Sequence, residues 1–298
     1  MKLLSLLIAI FTFSSATLAE SLELQNHPVT NINICQIEET KYGFRMDLAN
    51  TILKRTAKQY GEARLTPYRH DGITISQNRC LVLLDQSKID LLYLPPKPEL
   101  LDHFDYIPFD MHAGMLGYRV FLINAKDKER FAKVNSIEDL RGFKGGFGSQ
   151  WSDYKIFGLN DLPVVGAANT KVLMSMLKLG RFDYFHRGLH EAWKELEIEA
   201  DSNSELMVEE HLALRYPFQV FFWFNKDNPT LKKRFETGLF LVLQDGSYHK
   251  LFRQYFEEIV AKAKLDQRTI IDIEYPISDE VGPLFSNVEH QPFWIQEF

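Results

Sequence analysis

Between residues 143 and 196, short apolar runs alternate with segments of helical spacing. That alternation restricts the fold more than any other feature of the chain. Its order is strand 143–147, helix 151–157, strand 164–165, helix 169–179, strand 182–185 and helix 189–196. Such an order implies parallel strands joined by helical crossovers, and hence an α/β architecture. The same pattern runs earlier in the chain. Residues 32–37 are strand-like, and 43–60 place Phe44, Leu48, Ile52 and Leu53 on one helical face. Residues 65–68 are extended, 79–87 helical, and 89–94 form the continuous apolar run of a buried parallel strand.

Two longer extended stretches, 115–124 and 212–224, have no helix between their halves. They read as crossings between two lobes, the second broken at Pro217. Helices over 231–243 and 248–260 close the core, and residues 265–298 read as a wrapping tail with Pro276, Pro283 and Pro292. Local punctuation is also legible. Ser136 caps a short helix with Asp139 at the capping-box position, and Gly142 is placed for a left-handed exit. Gly148-Ser149 reads as a strand end running into a helix start, where backbone N–H groups can hold an anion.

Residues 1–19 have the charged start, apolar run and small residues of a cleavable export signal, with an uncleaved anchor as the alternative. The apolar run is shorter than the roughly 20 residues a membrane span needs. The formal charge of −6 becomes −7 without that segment, because one Lys is removed. A mildly acidic chain with mixed charges argues against a nucleic-acid partner. Cys35 and Cys80 are the two cysteines. In an exported chain they favour a disulfide, and a strand end and a neighbouring helix start share one edge of a parallel sheet.

Several short motifs then carry a resemblance: Tyr42-Gly43-Phe44-Arg45-Met46-Asp47-Leu48, Ser87-Lys88-Ile89-Asp90, Phe104-Asp105-Tyr106-Ile107-Pro108-Phe109, 136–142, 180–183, and Asp245-Gly246-Ser247-Tyr248. In this order the chain resembles the bacterial family 3 solute-binding proteins of amino-acid-type ABC importers. The resemblance implies the two-lobed type II periplasmic binding fold, each lobe a mainly parallel sheet flanked by helices. It divides the chain into a signal peptide 1–19, a first lobe 20–116, a second lobe 117–218, a return to the first lobe 219–264 and a tail 265–298. It implies a soluble periplasmic monomer that captures a small solute for an inner-membrane permease or a sensor.

Two departures qualify the implied ligand. Where the family places an Arg for the ligand carboxylate, this chain reads Pro95-Pro96-Lys97-Pro98-Glu99-Leu100-Leu101-Asp102. Where the family places an Asp for the ligand ammonium, it reads His186-Arg187-Gly188. A positive group stands in place of a negative one, so the expected solute is an anion without an α-ammonium group.

The candidate ligand residues are Arg187 as a planar anion fork, Ser149 and Gln150 at the glycine turn, and Trp151, Tyr42 and Tyr93 as aromatic walls. Lys97 is a substitute for the missing Arg. The bland readings are a surface ion pair for Arg187, a helix cap for Ser149, core packing for Trp151 and solvation for Lys97. His186 and His190, followed by Glu191, have the spacing of a metal pair but lack an obvious third ligand. No cofactor is implied: Gly146–Trp151 lacks the third glycine of a dinucleotide fingerprint, and no hydrolase motif occurs. Two other functions stay open. One is an enzyme on the same fold, resembling cyclohexadienyl dehydratases, with Glu38 or Glu39 as the proton-transfer group. The other is a partner-binding protein with a vestigial cleft.

Overall fold

The computed structural model describes residues 29–37, 39–68, 75–151, 153–199 and 205–275. The export signal, Glu38 and the tail prolines lie outside these residues.

The strands group into two layers, the first made of a two-stranded and a three-stranded sheet joined by a single bridge, the second of one seven-stranded sheet. In the first, β1 (Thr30–Ile34) pairs in parallel with β2 (Ala63–Pro67). A parallel bridge between Ile34 and Leu91 continues the layer toward β3 (Leu92–Leu94). The layer is completed by β4 (Phe104–Ile107) and by a late strand, Phe221–Asn225, that runs antiparallel between β3 and β4. The helix α1 (Glu39–Arg55) buries Phe44, Leu48, Ile52 and Leu53 against this core, as its spacing predicts.

The second sheet is built around β5 (Tyr118–Asn124). It also contains β6 (Gly145–Gly148), β7 (Val164–Ala167), β8 (Tyr184–Gly188), β9 (Leu206–Val208), β10 (Leu212–Arg215), β11 (the Phe221–Asn225 strand already placed in the first sheet) excepted, and β12 (Thr269–Asp272). The strand order is β12-β10-β5-β8-β6-β7, with β9 also on β5. The pairs β6–β7, β6–β8 and β10–β12 are parallel. The antiparallel pairs of both sheets all involve β5 or β11, the strands on which the chain arrives after crossing. The start of the tail is thus an edge strand of the second sheet.

The chain leaves the first sheet after β4 and returns to it at β11. The first crossing lies earlier than the sequence predicts: Met115–Gly117 is a 3-10 turn and 118–124 is already sheet. The second crossing runs through 216–220, around Pro217. The two crossings touch at Gly117, where a Cβ would lie 2.5 Å from the Tyr216 carbonyl oxygen. Gly117 therefore permits a close approach that no larger residue allows.

Local predictions meet mixed outcomes. Ser136 Oγ accepts the Asp139 N–H at 3.2 Å, as a cap should. Gly142, however, does not have positive φ; among the described glycines Gly61, Gly114, Gly180 and Gly246 do. The helix it follows is a single turn, Ile137–Leu140, that needs no such exit. Cys35 and Cys80 form a disulfide that ties the end of β1 to the helix α2 (Gln77–Asp85), with Cα atoms 6.2 Å apart.

Candidate functional site

Arg45 projects from the start of α1, one residue after Phe44. The Phe44 ring is fixed by contacts to His112, Tyr248, Phe252, Tyr255 and Phe256. That packing anchors the helix turn and sets where Arg45 emerges. The guanidinium lies over the Tyr42 ring at 5.3 Å, and its Nε donates to His112 Nε2 at 3.4 Å. Burial lowers the Arg45 pKa, against the attraction of Tyr42, Tyr93, Asp110 and Glu191. No carboxylate among the described residues lies within ion-pair distance of it.

The first crossing supplies Asp110 and His112. Asp110 is fully buried and accepts the N–H groups of His112 (3.1 Å), Gly114 (2.6 Å) and Val220 (3.2 Å). Burial pushes its carboxyl up to about 6, while those donors and Arg45 pull the other way. His112 is held neutral by burial and by its neighbours Arg45 and His190.

From the opposite sheet come His190 and Glu191, at the start of α3 (Leu189–Glu199). Burial lowers His190 to about 4, and Arg119, Arg45 and Arg187 act in the same direction. Burial alone would raise Glu191, but Arg187, His190 and Arg119 bring it down to about 2. Glu191 also accepts the Gly188 N–H at 3.1 Å. A Cβ at Gly188 would lie 2.7 Å from Arg119 Nη1 and 3.0 Å from Glu191 Oε2, so glycine is what lets these charges meet.

Arg187 sits on β8 at this edge, but its fork is filled. Its Nε and Nη2 donate to the two Glu195 oxygens at 2.6 and 2.5 Å, and Nη2 lies 2.9 Å from Glu191. The guanidinium also covers the Trp151 ring at 4.7 Å and Phe185 at 5.0 Å. Burial disfavours its charge, yet the two glutamates raise its pKa. This corrects the expectation of a free anion fork, because α3 carries two acids one turn apart that face the strand. Arg119 is likewise internal. It donates to the Tyr216 hydroxyl at 2.7 Å, which in turn donates to Asp153 at 2.8 Å.

Tyr42 and Tyr93 are buried beside Arg45, on the first-sheet side. Trp151 lies under Arg187. Ser149 and Gln150 are exposed, and the Ser149 N–H and Oγ both donate to the Ala167 carbonyl, extending the β6–β7 pairing. The helix expected from 151 forms only over Ile156–Leu159, so Ser149 is not a helix start and offers no anion-binding terminus. Lys97 is exposed at the start of the Pro98–Leu101 turn. His186 is stacked against Phe147 and Phe157, at 4.6 and 5.2 Å. Among the described residues, no group of three or more His, Cys, Asp or Glu side chains is placed to hold a metal.

Sequence reasoning missed Arg45, Asp110 and His112. Arg45 lay inside a motif read only for its helix entry, and the other two lay in a loop with no periodicity.

No family model matches the chain, and no curated protein matches it. Solved structures do. The probable amino-acid ABC transporter extracellular-binding protein YtmK of Bacillus subtilis is 17% identical, with a TM-score of 0.56. The match covers 76% of this chain and 97% of that one. YckB of Bacillus subtilis is 14% identical, with a TM-score of 0.53, covering 83% of this chain and 96% of that one. The chain therefore has the two-lobed α/β fold of which these proteins are examples.

Proposed function

We propose that this chain is an extracytoplasmic solute-binding protein whose two lobes close on a small anionic solute, with Arg45 as the anion contact. The single observation that carries the reading is the state of Arg45. It is a cation at the junction of the two sheets, with neutral His112 as its hydrogen-bond partner and no acid within ion-pair distance among the described residues. A half-buried charge with no acid in ion-pair contact is left partly desolvated, and an arriving carboxylate offsets that cost. Arg187 is a positioning residue here. It holds Glu191 and Glu195 and so shapes the second-lobe wall.

Binding rather than turnover is supported by the carboxylates of the site. Glu191 is held ionised by Arg187 and accepts the Gly188 N–H, and Asp110 is occupied by three backbone donors that tie the crossings together, so both carboxylates have structural partners. The crossings at 108–117 and 216–220 supply a hinge of the kind that domain closure uses. In this reading residues 1–19 direct export, residues 20–116 and 219–264 form the first lobe and 117–218 the second. The closed monomer hands its solute to an importer or reports it to a sensor. The reading fits the fold shared with YtmK, whose own description is that of an extracellular binding protein of an ABC transporter.

A thermal-shift screen of purified protein against small carboxylates, phosphates and amino acids tests it. Stabilisation by an organic anion, without product formation, is the expected outcome. Product formation would show an enzyme instead. No response to any anion would leave Arg45 without the assigned role.

A further inference from the structure

The chain passes between the lobes a third time, after its last long helix. The helix Ser247–Ala263 belongs to the first lobe. Its Phe252 and Phe256 rings pack on Phe44, and the Tyr255 hydroxyl donates to Asp47 at 2.6 Å. A short link, residues 264–268, then leads into β12, which lies in the second sheet in parallel register with β10. The link is not slack. Lys264 leaves the helix in the left-handed conformation, at φ 47°, and Leu265–Gln267 form a 3-10 turn. Arg268, its side chain buried, fastens both ends. Its Nε donates to the Ala263 carbonyl at the helix end at 2.6 Å. Its Nη1 donates to the Glu209 and Leu212 carbonyls of the second lobe at 2.6 and 2.8 Å. The last carbonyls of a helix lack partners, and a guanidinium carries enough donors in a fixed fork to serve several acceptors at once.

Beyond the link, the segment is held to the second lobe by side chains as well as by strand pairing. Arg215 Nε and Nη2 donate to the two Asp272 oxygens at 2.6 and 2.8 Å. The buried Asn160 side chain donates to the Glu274 carbonyl at 2.7 Å and accepts the Glu274 N–H at 2.8 Å. Tyr275 stacks on Tyr216, at the second crossing, with ring centroids 5.6 Å apart. Fully extended, residues 264–268 would span roughly 17 Å. The lobes can part widely only when the 3-10 turn and the Arg268 contacts come undone.

On the reading that the lobes close on a solute, we infer that residues 264–275 are a strap between them. It holds the lobes in the arrangement seen here, and it must loosen before they part. A second contact joins the same helix to the second lobe beside the strap, the Lys262 ammonium lying 5.5 Å over the Trp193 ring of α3.

Paired nitroxide labels on the full chain test this, at Lys58→Cys in the first lobe and Lys171→Cys in the second, both exposed positions. The disulfide leaves no other free thiol among the described residues. Without solute, the wild-type strap should give one interlobe distance. Arg268→Gln should add a longer one. It should also speed amide exchange at Thr269 and Ile273, which donate to the His211 and Arg215 carbonyls, by about tenfold or more. Asp272→Lys sets a like charge opposite the exposed Arg215 and touches no buried group, so it carries the test if Arg268→Gln does not fold. It should act in the same direction to a smaller degree, and less so in about 1 M salt, where the Debye length is about 3 Å. Two distances in the wild type with those amides still protected would overturn the inference. So would faster exchange at an unchanged distance, or exchange no faster in either variant. None of these results bears on the anion contact, which calorimetry on Arg45→Gln tests without touching the tail.

Discussion

The Asp110 carboxylate accepts the backbone N–H of Val220 at 3.2 Å, across 110 residues of sequence. One side chain thereby joins the two segments that connect the sheets. The Met111 N–H donates to the Val220 carbonyl at 3.1 Å beside it. The crossings are held as a pair, and any motion of the lobes must turn about this pair.

Removing that tie should be expensive. Asp110→Ala strands the N–H groups of His112 and Val220, both buried, and that of Gly114, which is half-buried, and a buried unpaired donor costs about 1–3 kcal/mol. We expect chemical denaturation to show a loss of at least about 3 kcal/mol, with partial recovery in Asp110→Asn, which keeps one acceptor oxygen. A loss under about 1 kcal/mol would mean that the carboxylate does not join the crossings.

Arg187 should behave as a structural cation. Arg187→Met leaves Glu191 and Glu195 without their shared partner, and breaking a buried pair costs about 3–5 kcal/mol. The expected result is a large fall in melting temperature, partly reversed by adding Glu195→Gln. Unchanged stability with lost solute binding would instead make Arg187 a direct ligand contact.

The disulfide closes a separation of 45 residues. The chain-entropy relation gives roughly 4 kcal/mol for a loop of this size. Cys35→Ser/Cys80→Ser should be destabilised by about that amount. Thiol labelling of unreduced, denatured wild type should find no free thiol, and two labelled thiols would contradict the bond.

His190 gives a pH signature. Its folded pKa, lowered to about 4, lies below its ordinary value of 6.5. Below pH 6.5 the unfolded chain takes up a proton that the folded chain refuses, so stability falls as pH falls from about 6.5 to 4. Between pH 8 and pH 5 the wild type should lose about 2 kcal/mol relative to His190→Gln. Parallel stability curves for the two proteins would show that His190 is not held neutral by the fold.

Much of the fold was legible because its motif residues are structural ties. Asp90 accepts the Asn33 N–H at 2.7 Å and so locks β1 beside β3. Asp183 accepts the Lys144 N–H at 2.8 Å ahead of β6, and Asp47 accepts the Tyr255 hydroxyl at 2.6 Å between α1 and a C-terminal helix, Ser247–Ala263. Such residues act over fixed local spacings, which a sequence displays. The site was less legible. Arg187 looked available because a strand-edge position says nothing about the next helix, where Glu191 and Glu195 turn back toward it. Arg45 looked structural because it sits between Phe44 and Asp47, which are. Asp110 and His112 gain their meaning from Val220 and Arg45, contacts that form only when distant segments meet.

Calorimetric titration of the acid that stabilises the wild type most, into wild type and into Arg45→Gln, decides whether the junction binds an anion. A charge-assisted contact is worth about 1.5–3 kcal/mol, so affinity should fall roughly ten- to hundredfold or more on loss of the guanidinium. Equal affinity in the two proteins would place the anion elsewhere and contradict the proposed site.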